Sequence, residues 1–135
     1  MIEVNSAGEV WIFAEQNNGK LADTSLELLS KGRELADTLN VKLAAVLLGQ
    51  NVSELTQTLT QYGADKVYLA ENPLLKHYQT NSYTKVIYDL IHKHKPQIVL
   101  FGATACGRDL APRIASATKA GLTADCTDLQ IGSHE

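Results

Sequence analysis

The run Lys42-Leu-Ala-Ala-Val-Leu-Leu48, closed by Gly49, is almost continuously apolar. A strand of this kind belongs in the middle of a parallel sheet, where both of its faces are covered. Reading outward from it, the segment before it carries Leu28, Leu29, Gly32, Leu35, Ala36 and Leu39 at three-and-four spacing, which is one face of a helix starting near Asp23. Gly32 inside that stripe costs about 1 kcal/mol of helix propensity, so its reason is close approach to a strand. Upstream again lie the apolar run Val10 to Ala14 and a loop, Glu15-Gln-Asn-Asn-Gly-Lys.

Downstream the same alternation continues. Ser53 is placed to cap a short helix bearing Leu55, Leu59 and Tyr62, which Gly63 ends. Residues 67–70 read as a third strand and residues 72–80 as a loop opened by Asn-Pro. Asn81 or Ser82 caps the next helix, whose stripe is Tyr83, Val86, Ile87, Leu90 and Ile91 and which stops before Pro96. Residues 98–101 form a fourth strand, residues 102–107 a glycine-bounded loop, residues 110–118 a helix and residues 124–131 a fifth strand. The expected fold is therefore α/β and doubly wound, a mainly parallel Rossmann-like sheet of five or more strands with helices on both faces. Residues 1–135 read as one domain, ending in a tail Gly-Ser-His-Glu.

Composition narrows the function classes. Twelve basic against fifteen acidic residues give a net charge of −3, which leaves no broad positive field for nucleic acid or anionic lipid. The amino terminus has no apolar stretch of signal-peptide length and no apolar run reaches bilayer length, so a cytoplasmic protein without membrane insertion is expected. Cys106 and Cys126 form no CxxC pair and read as free packing thiols. His92 and His94 sit two apart on a helix and cannot chelate from one face, and His77 and His134 have no catalytic partner in sequence. Neither a metal site nor a nucleophile with its base is visible.

Two loops fall where ligands collect in an open parallel sheet, at the carboxyl ends of strands. The first, residues 14–21, holds a single glycine, Gly19, and so lacks the GxGxxG pyrophosphate turn. The second, Gly102-Ala-Thr-Ala-Cys-Gly-Arg-Asp-Leu-Ala-Pro-Arg113, combines small residues, arginines and a helix start, which together can hold an anion. The other reading is structural: Gly102 and Gly107 make a tight turn, Asp109 favours the first turn of the helix, and Arg108 and Arg113 serve surface or subunit contacts. That reading is favoured because no GKS or GKT follows. Thr123 and Asp125 either project toward a partner at the sheet edge or form the outward polar face of a half-buried strand.

GATACGRDLAPRIASATKAGLTADCTDL, with the opening VWIFAEQNNGKL and the VLLGQ after the second strand, resembles the amino-terminal domain of electron transfer flavoprotein α subunits over nearly the whole chain. The resemblance implies an adenine-nucleotide-hydrolase-like fold that docks on a similar domain of a β subunit. It implies an electron carrier rather than an enzyme, passing electrons from flavin dehydrogenases such as those acting on acyl-CoA. FAD would be held mainly by a carboxy-terminal domain outside these residues, so no cofactor ligand is assigned here. Gly102, Thr104, Gly107, Arg108, Asp109, Arg113, Thr123 and Asp125 are then interface or domain-orienting residues. The competing expectation is a stand-alone adenine-nucleotide-binding protein of universal-stress or ATP-pyrophosphatase type.

Overall fold

A computed structural model describes residues 8–17, 19–96, 98–102 and 104–118. Its sheet is built from β1 (Val10–Ala14), β4 (Leu43–Gly49), β5 (Lys66–Glu71) and β6 (Ile98–Leu100), in the order β5-β4-β1-β6, with every pairing parallel. A two-residue antiparallel pair, β2 (Gln16–Asn17) with β3 (Lys20–Leu21), closes the loop after β1. The helices are α1 (Asp23–Leu39), α2 (Leu55–Gln61), α3 (Thr80–His94) and α4 (Ala105–Thr118).

Alternation along β1 and β4 distributes the core between two layers. Val10, Ile12, Ala14, Leu43, Ala45 and Leu47 face Leu28, Leu29 and Ala36 of α1 and Leu59 of α2. Trp11, Phe13, Ala44, Val46 and Leu48 face Ile87 and Ile91 of α3 and Leu110 and Ile114 of α4. Each leucine or isoleucine buried in this way contributes about 1.5–3 kcal/mol, which is why the continuous run of β4 and not an alternating one marks the centre of the sheet. Gly32 lets α1 approach: a Cβ there would stand 2.9 Å from both Ile12 Cγ2 and Leu43 Cδ1. The parallel sheet with helices on both faces is the expected architecture, in four described strands. The expected fifth strand, residues 124–131, lies outside the described residues.

Helix starts differ from the sequence reading in three places. Ser53 offers α2 no side-chain cap; the first turn is instead held by main-chain bonds from Leu55 N to Val52 O and Thr56 N to Ser53 O, anchored by buried Val52. α3 begins at Thr80, before Asn81 and Ser82, and its flanking Gln79 makes no side-chain cap. α4 begins at Ala105, five residues earlier than expected, because Thr104 Oγ1 accepts from Gly107 N at 3.0 Å and so caps it. Pro112 then lies inside the helix, where its missing N–H leaves one carbonyl without its usual donor. The loop after β5 also contains a single 3₁₀ turn, Pro73–Leu75, capped by Asn72 Oδ1, which accepts from Leu74 N at 2.9 Å. Gly63 follows α2 at a φ of 123°, and α3 stops at His94 before Pro96.

Candidate functional site

The strand order reverses between β1 and β6, and the chain leaving β1 there is fixed by one buried hydroxyl. Ser25 Oγ accepts from Glu15 N at 2.7 Å and donates to Glu15 O at 2.8 Å, and Ser25 is fully buried. Gln16 continues the restraint: its Nε2 donates to Leu48 O at 3.2 Å and its Oε1 accepts from Gly19 N at 2.9 Å. The backbone at Glu15 is thus held by α1 and the Gln16 side chain by β4, which leaves the Glu15 carboxylate aimed across the switch point.

That carboxylate meets the start of α4. Thr104 Oγ1 donates to Glu15 Oε2 at 2.6 Å while accepting from Gly107 N, so one hydroxyl both caps the helix and grips the acid. A Cβ on Gly102 would lie 3.3 Å from Glu15 Oε2, and one on Gly107 would lie 2.0 Å from Gly102 O. Gly107 therefore serves close backbone contact between α4 and the chain just after β6, and Gly102 leaves room for the carboxylate. A carboxylate is favoured here by the dipole of the helix start.

Beside this junction, at the ends of β1 and β4, lies a cleft of about 250 Å³ walled by Phe13, Ala14, Leu48 and Tyr83, with Lys76 and His77 on its rim. Cys106 reaches it, but burial first, and then the charges of Glu15 and Asp109, push its thiol up to about 12. A thiol so protonated is no nucleophile. Burial likewise pushes the Tyr83 hydroxyl up to about 12, and that group donates to Leu75 O at 2.7 Å.

On the outer side of α4, Asp109 gathers the loop after β5. Its Oδ2 accepts from Tyr78 at 2.5 Å and Thr80 at 2.6 Å, and its Oδ1 pairs with Arg113 Nε at 3.5 Å. The Thr80 and then the Tyr78 hydroxyl hold the Asp109 carboxyl below its ordinary value. Arg113 also borders a groove of about 430 Å³ between α3 and α4, with Asn81, Thr84 and Ser116. Thr84 Oγ1 is buried beside it without a hydrogen-bond partner. Arg108 is exposed on the same helix.

Gly102, Thr104 and Gly107 thus come together in one junction, Asp109 and Arg113 form a second on the same helix, and Thr123 and Asp125 lie outside the described residues. Sequence reasoning passed over Glu15, Ser25 and Tyr78. Glu15 stood in a loop tested only for glycines, and Ser25 and Tyr78 matter through bonds to distant elements. His92 stacks on Tyr88 at 4.3 Å and His94 on Tyr68 at 4.5 Å, and no cluster of metal-ligating side chains occurs among the described residues. No helix among them is long and apolar enough to cross a membrane.

A parallel sheet layered by helices on both faces defines a protein of the doubly wound, Rossmann-like α/β class. The solved structure of a universal stress protein in complex with cAMP shares this fold, with a TM-score of 0.54 at 15% identity over 88% of this chain and 97% of that one. Within that class, the electron transfer flavoprotein domain family matches residues 10–134. The chain is 52% identical over 97% of its length to an electron transfer flavoprotein subunit alpha of Thermoanaerobacterium thermosaccharolyticum, and 55% identical over 90% to that of Clostridium acetobutylicum. It is 49% identical over 98% to an acryloyl-CoA reductase electron transfer subunit beta of Anaerotignum propionicum. The chain belongs to the electron transfer flavoprotein family. It spans 40%, 36% and 36% of the lengths of these three relatives.

The family's flavin does not fit the cleft described here. Its volume of about 250 Å³ is below the ~300 Å³ at which pockets for drug-sized ligands begin, and a dinucleotide is larger still. The helix start that would receive a pyrophosphate already faces the Glu15 carboxylate.

Proposed function

We propose that this chain is the scaffold and docking domain of an electron transfer flavoprotein α subunit. The observation that carries the reading is the near-complete match of the chain to relatives of which it spans 36–40%. FAD is then held by the remainder of the parent subunit, and the domain itself is neither catalytic nor flavin-binding. Its partner is the β subunit, in a cytoplasmic heterodimer that takes electrons from flavin dehydrogenases such as acyl-CoA dehydrogenases.

The docking residues on this reading lie on and around α4. Arg108 is exposed, and Arg113 lies at the mouth of the groove between α3 and α4 with its guanidinium oriented by Asp109. Gly102, Thr104 and Gly107 set the helix's position, and Thr123 and Asp125, outside the described residues, join the docking set on their sequence segment alone.

The test is co-expression with the β subunit of the same organism. Co-elution of the two chains, abolished or weakened by Arg108→Glu and Arg113→Glu, is the expected result. Failure to associate, or stoichiometric flavin absorbance in the chain purified alone, overturns it.

A further inference from the structure

We propose that the Glu15 carboxylate is a built-in anion that occupies the phosphate seat of this fold, closing the start of α4 at the switch point to nucleotides and inorganic phosphate. The surroundings of the carboxylate carry this role, which is independent of docking.

In a doubly wound sheet an anion settles at the switch point because the first amides of the following helix have no partner within that helix, and its dipole favours negative charge. Here that helix is α4, and its cap is Thr104. The cap hydroxyl has one proton to give, and it gives it to Glu15 Oε2 at 2.6 Å. An incoming phosphate would have to break that bond and stand beside a fixed negative charge. A Cβ added at Gly102 would stand only 3.3 Å from the same carboxylate oxygen, so the space on that side of the acid is narrow.

The backbone that carries the carboxylate is fixed in place. Its own backbone N–H and C=O are both tied to the buried Ser25 hydroxyl, and Ala22 N donates to Glu15 O at 2.9 Å. The next residue is clamped to β4 through the bond from Gln16 to Leu48 O. These restraints have no bearing on a surface glutamate, but they are the ones needed to hold an acid in a chosen place. The glycine pair then has a second consequence: by drawing α4 onto β6, it brings the helix start to the acid.

Isothermal calorimetry of the purified chain with inorganic phosphate, AMP and ATP tests this directly. The wild-type chain should give no binding heat with any of the three. Glu15→Ala, which empties the seat, should take phosphate and AMP with an affinity at least about tenfold above any wild-type binding. Glu15→Gln keeps a group for the Thr104 hydroxyl while removing the charge, folds with the least disturbance, and should gain less than Glu15→Ala. Circular dichroism confirms that each variant is folded before titration. Wild-type binding of phosphate or AMP overturns the proposal whether or not the variants fold, as does a folded Glu15→Gln and Glu15→Ala pair that binds no better than wild type.

Discussion

The Thr104 hydroxyl and the Glu15 carboxylate are 2.6 Å apart across 89 positions of sequence, and this bond joins the exit of the central strand to the entrance of the last described helix. Thr104→Val removes it together with the helix cap. Losing a cap costs about 1 kcal/mol and leaving a charged partner short of a donor adds a similar amount, so a loss of roughly 1–3 kcal/mol is expected. Urea unfolding checks this: the midpoint should fall while the slope stays unchanged.

Substituting alanine at two glycines should rank them by what the new methyl group meets. At Gly32 the methyl meets side-chain atoms of Ile12 and Leu43 at 2.9 Å, which can shift, and better helix propensity offsets part of the cost. Gly32→Ala should therefore fall within the usual overpacking range of roughly 1–3 kcal/mol. At Gly107 the methyl would stand 2.0 Å from a backbone carbonyl, which has no rotamer to change. Gly107→Ala should exceed that range or leave α4 undocked, read by thermal melts and by near-ultraviolet dichroism.

The acid limb of stability should depend on Asp109. Its carboxyl is held below the ordinary 3.8, first by the Thr80 hydroxyl and next by that of Tyr78. A depressed folded value means stability that is present above the unfolded pKa and is lost as pH falls through the folded one. Melting temperature should thus drop from about pH 4 downward, and Asp109→Asn should flatten that drop in part. Glu9 and Asp65, also held low, supply the remainder. Tyr78→Phe should cost about 0.5–1.5 kcal/mol at neutral pH, the usual worth of one hydrogen bond. A melting-temperature profile against pH identical to wild type in the Asp109→Asn chain would remove Asp109 from this role.

Cys106 should resist thiol reagents in the folded chain. With its thiol pushed up to about 12 by burial and the neighbouring carboxylates, little thiolate exists near pH 8. In a Cys126→Ser background, alkylation in buffer should be at least about a hundredfold slower than in denaturant, where the thiol returns to about 8.5. Equal rates in the two conditions would contradict this environment.

The layers of the fold were legible because they are set by local pattern. The run from Leu43 to Leu48 can only be covered on both sides, and the Leu28, Leu29, Ala36 stripe can only face a sheet. What escaped the pattern depends on contacts between distant residues. The start of α4 was placed late because residues 102–107 read as a glycine-bounded loop, whereas the actual start is fixed by the Thr104 hydroxyl. Similarly, Ser53 had the chemistry of a cap, yet buried Val52 and main-chain bonds begin α2 instead. At the site, Asp109 was visible as a residue of the helix's first turn and Arg113 as a surface or subunit contact, though not as the pair they form. Glu15 was not, because nothing beside it in sequence reveals a partner 89 positions away.

The order of the sheet also sets the order in which it can be completed. β1 leaves the ribosome first, yet its partners arrive later: Val10 pairs with Leu43 on one side and with Ile98 on the other. Until residue 100 has been synthesised, the strand carrying Trp11 and Phe13 keeps an unpaired edge, so the nascent chain holds its most apolar aromatic segment open for nearly its whole described length. Such distant parallel pairings make folding slow, and this places the period of greatest aggregation risk during translation, before β6 arrives.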